Sequence, residues 1–278
     1  PDTLKTLNAV SFYYCDKLKE LEIPASVEEI GSSLIQGCSS VEKLTVAKDN
    51  AAYMSEDNAI YSKDGTTLVA ATMVSEFKIP DTVTEIGPGV FFDNKNLISI
   101  EIPANVKKIS DTAFNSCRNL RSVQFSEGLK EIGENCFWGD SALSVIRIPS
   151  TVTNIGYGAF LACKGLVGAY FYGDIPEFQS TMPTRANNIF NSCDSLKTAY
   201  YPKGNTTWEN ASAKLLSYQG NASLQWAAWD KDAAQSIYDA EITVAAGSYI
   251  YTGRAFTPDV TVTLQGTTLL KDTDYVVR

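Results

Sequence analysis

A period of 23 residues runs through the middle of this chain and restricts its possible folds more than any other feature. Leu97, Leu120, Leu143 and Leu166 recur at that step, as do Phe91, Phe114, Phe137 and Phe160, and Ile86, Ile109, Ile132 and Ile155. Glycine follows three of these isoleucines, at Gly87, Gly133 and Gly156, with Ser110 the exception. Ile102, Phe125, Ile148 and Phe171 complete the set. A fixed period of this size marks a solenoid, in which each repeat buries its apolar face only against its neighbours.

Within one repeat, Leu97-x-x-Ile100-x-Ile102 reads as a short strand closed by Pro103, because proline cannot donate to a ladder. Pro24, Pro80, Pro149 and Pro202 repeat that punctuation. Val106-x-x-Ile109 is a second extended piece, and residues 111–117 read as a turn of helix with Phe114 inward. Two N-terminal repeats keep the register through Phe12, Cys15, Leu18 and Ile23, then Ile35, Cys38, Val41 and Val46. Segment 47–79 exceeds the period by ten residues. It reads as a hairpin bulging from the array, since Asp64-Gly65 sits between the apolar runs 58–61 and 67–69. A further insertion, 173–188, precedes Phe190, Cys193 and Leu196, which restore the register.

The frame seen in Ile79-Pro80…Val83-x-x-Ile86-Gly87 and Ala113-Phe114-x-x-Cys117-x-x-Leu120 resembles the BspA-like leucine-rich repeats of bacterial surface proteins. The resemblance covers roughly residues 1–210. It implies an α/β, right-handed leucine-rich-repeat solenoid of short parallel strands and few short helical turns. It also implies a protein displayed on or secreted from a bacterium, extracellular, mediating adhesion or host contact. Asn94 and Asp140 depart from the family's cysteine, and Ala169 from its strand aliphatic. The tail 241–278 alternates as β sequence does, in Ile242–Val244, Tyr249–Tyr251, Val260–Leu264 and Tyr275–Val277. Within it Tyr251-Thr-Gly253, Thr257-Pro258 and Asp272-x-Asp274-Tyr275 resemble part of the small Ig-like repeats of bacterial cell-surface proteins. The expected organisation is a solenoid with its C-terminal cap over 1–220, a connector over 221–240 and a partial Ig-like β module over 241–278. Trp208, Leu215 and Leu216 are expected to cover the open end of the array, and Trp226 and Trp229 to lie in the connector.

Net charge is −9 and the pI about 4.7, which argues against a nucleic-acid partner. No run of apolar residues is long enough for a membrane span. Pro1 opens in mid-pattern without a signal-like segment, which suggests a mature fragment. The chain has no histidine, so the commonest general base and metal ligand are missing. With no CxxC either, neither a metal nor a cofactor is expected, and the chain reads as non-enzymatic. Five of the six cysteines, Cys15, Cys38, Cys117, Cys163 and Cys193, share one register position. Cys117 and Cys163, two rungs of ~4.8 Å apart, are too distant for a disulfide, so the set reads as a ladder of small inward residues.

Strand alternation turns the third and fifth positions of Leu-x-x-Ile-x-Ile outward. Read down the array, those positions give Glu20/Glu22, Lys43/Thr45, Glu76/Lys78, Ser99/Glu101, Ser122/Gln124, Val145/Arg147, Gly168/Tyr170 and Thr198/Tyr200. The series begins with mixed charge and ends aromatic. Exposed aromatics on a rigid scaffold are the usual anchors of a protein or glycan site, so Tyr170, Tyr200, Tyr172, Trp208 and Arg147 are the candidate ligand-binding residues. The expected partner is a host or extracellular protein or glycan. Competing readings are a rigid stalk and an accessory substrate-binding part of a larger surface hydrolase.

Overall fold

Each 23-residue unit forms one rung of a parallel, mostly-β solenoid in the computed structural model. Residues 3–179, 188–211 and 223–229 are described, with three backbone strands beyond them. The chain divides into two compact units, Pro1–Ala228 and Trp229–Arg278.

A rung has three sides. On the first, Ser99–Ile102, Ser122–Phe125, Val145–Ile148 and Gly168–Phe171 lie side by side, with Ser122 opposite Ser99 and Ile146 opposite Ala169. Alternation places Ile100, Ile102, Val123, Ile146 and Ile148 in the core. On the second side, Glu85–Ile86, Lys108–Ile109, Glu131–Ile132 and Asn154–Gly156 pair in parallel, stacking Ile86, Ile109, Ile132 and Ile155. The glycine that follows is demanded by sterics: a Cβ on Gly133 would lie 2.5 Å from the Asp111 nitrogen, and one on Gly156 would lie 2.4 Å from that of Glu134.

The helical turn expected at 111–117 does not form. Instead the third side of each rung carries two residues with left-handed backbone, four apart. They are Thr112 (φ 56°) and Ser116 (64°), Asn135 (51°) and Gly139 (79°), and Gly158 (62°) and Ala162 (59°). These residues turn the backbone toward the next rung, so the Phe114 N–H donates to Cys136 O at 2.9 Å and that of Phe137 to Ala159 O at 2.7 Å. A non-glycine residue in that region costs on the order of 1–2 kcal/mol. The inter-rung bonds and the phenylalanine column offset it. Phe91, Phe114, Phe137 and Phe160 stack at 5.0, 5.0 and 5.3 Å with planes within 11°, each pair contributing about 0.5–1.5 kcal/mol beyond its buried area. The fold is therefore mostly β rather than α/β. Among the described residues the only α-helix is Thr206–Glu209.

The cysteine ladder has a polar task as well. Cys117, Cys163 and Cys193 donate their Sγ–H to the carbonyls of Phe91, Phe137 and Phe160 one rung back, at 3.0, 3.1 and 3.0 Å. Cys38 does the same to Phe12. Cys15 departs from the expected inward ladder: it is exposed, in the first described rung, and its Sγ lies 3.9 Å from Tyr13 O rather than bonding a carbonyl one rung back. Cys136, outside the register, is buried too. Asp140 occupies a ladder position with neither carboxylate oxygen hydrogen-bonded. The Cys117 N–H, which favours the charged form, is already engaged by Phe114 O at 3.1 Å. Burial therefore pushes the Asp140 carboxyl well above the ordinary range.

Segment 47–79 holds the expected hairpin, Ala59–Ser62 and Thr67–Ala71, and one strand more, Tyr53–Glu56. It does not bulge from the array. Thr67 and Leu68 pair in parallel with Glu85 and Ile86, so the three-stranded meander extends the second side into a continuous eight-stranded sheet. Its strands also partition the interior. Ala59 and Tyr61 pack into the large core that runs to Trp208, while Ile60 points into a separate small core with Leu7, Ile23, Leu34, Val41 and Leu44. On the turn side no strand intervenes: the Ser33 N–H donates to Pro88 O at 3.2 Å. The meander is thus a wedge on one side of the solenoid only. Buried Asn50 fixes its entry, donating to Pro24 O and Val27 O and accepting from the N–H groups of Ala52 and Tyr53.

At the C-terminal end, Asn205 caps the short helix by accepting from the Thr207 N–H. Trp208 is 1% exposed, packs 4.9 Å from Phe171, and donates its indole N–H to Gly173 O at 3.0 Å. Leu215 and Leu216 lie outside the described residues. Gln225–Trp229, expected in a connector, forms a strand beside Thr198–Pro202, and Trp226 stacks on Trp208 at 5.2 Å. The cap is thus a pair of tryptophans. In the second unit, Glu241–Val244 pairs antiparallel with Val260–Leu264, which pairs antiparallel with Thr267–Leu269. The strands expected at 249–251 and 275–277 lie outside the described residues.

Candidate binding face

The outward positions of the first side carry the candidate site. At the N-terminal end they form cross-rung pairs: Glu20 lies opposite Lys43 with 3.3 Å between the charged groups, and Lys19 reaches Glu42 at 3.4 Å. Such exposed pairs contribute under about 1 kcal/mol each. The series is not continuous as the sequence implies. Among the described residues Lys43–Val46 has a ladder partner only in Glu20–Ile23, and the next outward pair begins at the single bridge between Glu76 and Ser99. A shallow groove of about 300 Å³ opens there, lined by Glu76, Lys78, Asp81, Ser99 and Glu101 among others.

Toward the C-terminal end the register forces aromatic stacking. Arg147 lies opposite Tyr170 and Tyr170 opposite Tyr200, even though the insertion at 173–188 separates the last two rungs in sequence. The Tyr170 and Tyr200 rings stack at 4.9 Å and 10°, which is the rung spacing itself. The Arg147 guanidinium carbon sits 5.8 Å from the Tyr170 ring centre, a cation–π contact. Gly168, a poor strand residue, makes room: the nearest atom to a Cβ there would be in the Tyr170 ring, at 3.0 Å. Inside the same two rungs Ala169 and Ala199 are small where the large cap aromatics fill the volume.

The structure therefore joins Arg147, Tyr170 and Tyr200 into one half-buried column. Tyr172 is half-buried just past the strand end, its N–H donating to Ile148 O at 3.0 Å, and is not in the column. Trp208 does not belong to the face, because its ring is core. Gly168 stands in the outward series of the sequence but not among the candidate site residues, although a glycine inside a strand frame signals a close approach. The column also limits the chemistry. Both faces of Tyr170 are covered, by Arg147 and by Tyr200, so its accessible parts are the ring edge and hydroxyl rather than a flat stacking surface. Among the described residues no three His, Cys, Asp or Glu side chains are grouped to hold a metal ion, and no helix is long and apolar enough to cross a membrane.

Three solved structures share this architecture. A leucine rich cell surface protein from Faecalibacterium prausnitzii is 25% identical, with a TM-score of 0.61 over 76% of this chain and 55% of its own. The pneumococcal vaccine antigen PcpA is 19% identical, with a TM-score of 0.64 over 82% and 60%, a likeness of fold. A leucine-rich repeat protein from Eubacterium ventriosum is 25% identical, with a TM-score of 0.52 over 73% and 59%. The chain thus spans less than two thirds of the length of each. No protein of curated function matches it. Residues 1–63 and 68–182 match the BspA type leucine rich repeat region in six copies, and with that stacked-rung geometry the chain belongs to the BspA-type leucine-rich repeat family.

Proposed function

We propose that this chain is a non-enzymatic binding module of a bacterial cell surface that engages a host protein or glycan through the outward face around Arg147, Tyr170 and Tyr200. The observation that carries the reading is the column itself. It places two half-buried tyrosines and an arginine on a rigid, doubly laddered scaffold, where the other outward positions are mostly charged or small and polar. Aromatic and arginine side chains are the residues most enriched at energetic centres of interfaces. The cell-surface relative from Faecalibacterium prausnitzii supports the location. The Ig-like reading of the second unit rests on sequence resemblance, and three antiparallel strands accord with it.

The test is a screen of the chain against extracellular-matrix proteins and glycans, followed by Tyr170→Ala/Tyr200→Ala on any saturable hit. Loss of binding with an unchanged melting curve supports the face. Undiminished affinity in the double variant overturns it. A stalk is the second reading, favoured by the unbroken phenylalanine column, and it predicts no saturable hit at all.

A further inference from the structure

A second surface, away from the tyrosine column, has a chemistry of its own. The corner between the turn side and the first strand runs through the first four residues after each ladder position. In four successive rungs these are 95–98, 118–121, 141–144 and 164–167. The exposed cations Lys95, Arg118, Arg121 and Lys164 stand there, and the sixteen positions hold no carboxylate, in a chain of net charge −9. Asp93 is buried beneath Lys95 at 3.4 Å and accepts the Tyr14 hydroxyl, and the first exposed carboxylate on the corner is Asp194, in the rung after Lys164. Arg118, Arg121 and Lys164 have no ion-pair partner among the described residues.

The corner is also shaped. Ser75, Lys95, Asn96, Ile98, Asn119 and Arg121 line an open groove of about 510 Å³. Its amides are held in place, Asn96 donating to Met73 O at 2.8 Å and Asn119 to Lys95 O at 2.7 Å. Cations, amides and hydroxyls therefore recur along one line at the rung step of ~4.8 Å.

From this arrangement we infer that the corner binds a linear anionic polysaccharide bearing sulfate or carboxylate groups. The arginines and lysines supply charge-assisted hydrogen bonds to those groups, and the amides and serines meet sugar hydroxyls. The spacing discriminates between polymers. An equatorially linked pyranose chain advances by close to one rung per sugar, whereas an extended peptide advances ~3.3–3.4 Å per residue and falls out of step. Single-stranded nucleic acid needs aromatic platforms for its bases, and this groove has none.

The experiment measures binding of the chain to heparin, to a polyuronate, to neutral dextran and to poly-glutamate at low ionic strength, where screening reaches beyond about 10 Å. Saturable binding to heparin or the polyuronate, absent with dextran and lost as salt rises, is expected. Which of the two binds identifies the anionic group. Arg118→Gln/Arg121→Gln is expected to weaken it by about tenfold or more. Lys130→Gln, on another side of the rung, and the Tyr170/Tyr200 double variant are expected to leave it unchanged, which separates this site from the aromatic column. The inference is overturned if neither polyanionic sugar binds, if the arginine variant binds as the parent does, or if poly-glutamate binds equally well, which would point to an acidic protein partner.

Discussion

The Tyr14 hydroxyl donates a 2.7 Å hydrogen bond to the Asp93 carboxylate, 79 residues along the chain. It ties the first described rung to the rung beyond the meander, crossing the turn side where the wedge is absent. Gly37 lies between them, and a Cβ there would strike the Tyr14 ring at 2.7 Å. Hydrogen bonding to Asp93, with smaller help from burial, raises the Tyr14 hydroxyl to about 12 from 10.0. A raised folded value means the stabilisation is intact below pH 10 and lost as pH climbs from there toward 12. Tyr14→Phe should lower stability by about 1 kcal/mol at neutral pH, the ring being partly exposed. The deficit against the parent should shrink between pH 10 and 12, read by denaturant titration at each pH. A constant deficit would show that the bond to Asp93 is not its source.

Asp140 should be a stabilising site when replaced. Its carboxyl is raised by burial above the ordinary 3.8, so the neutral form suits the folded state and the charged form opposes it. Its favourable balance holds below about pH 4 and is lost as pH rises through the folded value. Asp140→Asn should therefore gain about 1–3 kcal/mol at pH 7 and much less at pH 4. Asp140→Cys should gain as well, since the family's residue donates to the carbonyl one rung back. Urea midpoints at the two pH values check both.

Gly133→Ala tests how closely the rungs approach at the corner. Its Cβ has backbone at 2.5 Å on the preceding rung, so the ladder must open, at a cost of about 2–3 kcal/mol. Ser110→Ala, at the same register position, already has a Cβ and loses one hydrogen bond, that of Oγ to Glu85 at 2.6 Å. It should cost about 1 kcal/mol or less. Thermal melts of the two variants, compared directly, decide whether packing or register sets the corner.

Asn50→Ala should loosen the meander while leaving the long array intact. The variant abandons two buried donor bonds and two acceptor bonds, a loss of about 2–4 kcal/mol. Hydrogen exchange should quicken across 53–71 and stay slow around Phe114 and Phe137. Uniform quickening throughout would contradict the partition of the interior.

The core of this fold was open to reading because it repeats: leucines, isoleucines and phenylalanines in phase at 23 residues become stacked columns. The register also carried Tyr170 and Tyr200 to one column across an insertion. The turn side was hidden, because its left-handed positions are filled by Val10, Tyr14, Thr112, Ser116 and Ala162, residue types that announce no such backbone. Trp226 sat among residues too polar to mark it as core, and Trp208 was placed at once in the cap and at the site. Only the packing of Phe171 against both indoles separates those roles. Cys15 has the register of a ladder residue but is exposed, its thiol near Tyr13 O of its own turn.

The meander gives the solenoid a mechanical asymmetry. Two interiors share the meander sheet as a wall on one side, so the small one, from Leu7 to Leu44, can melt and uncover only the Phe91 end of the phenylalanine column. A molecule anchored at its C-terminal end and pulled by its N-terminal rungs should yield in two steps, the first at the Tyr14–Asp93 tie. The wall would then act as a fuse, letting out the leading rungs as slack while the tyrosine column beyond it stays in shape.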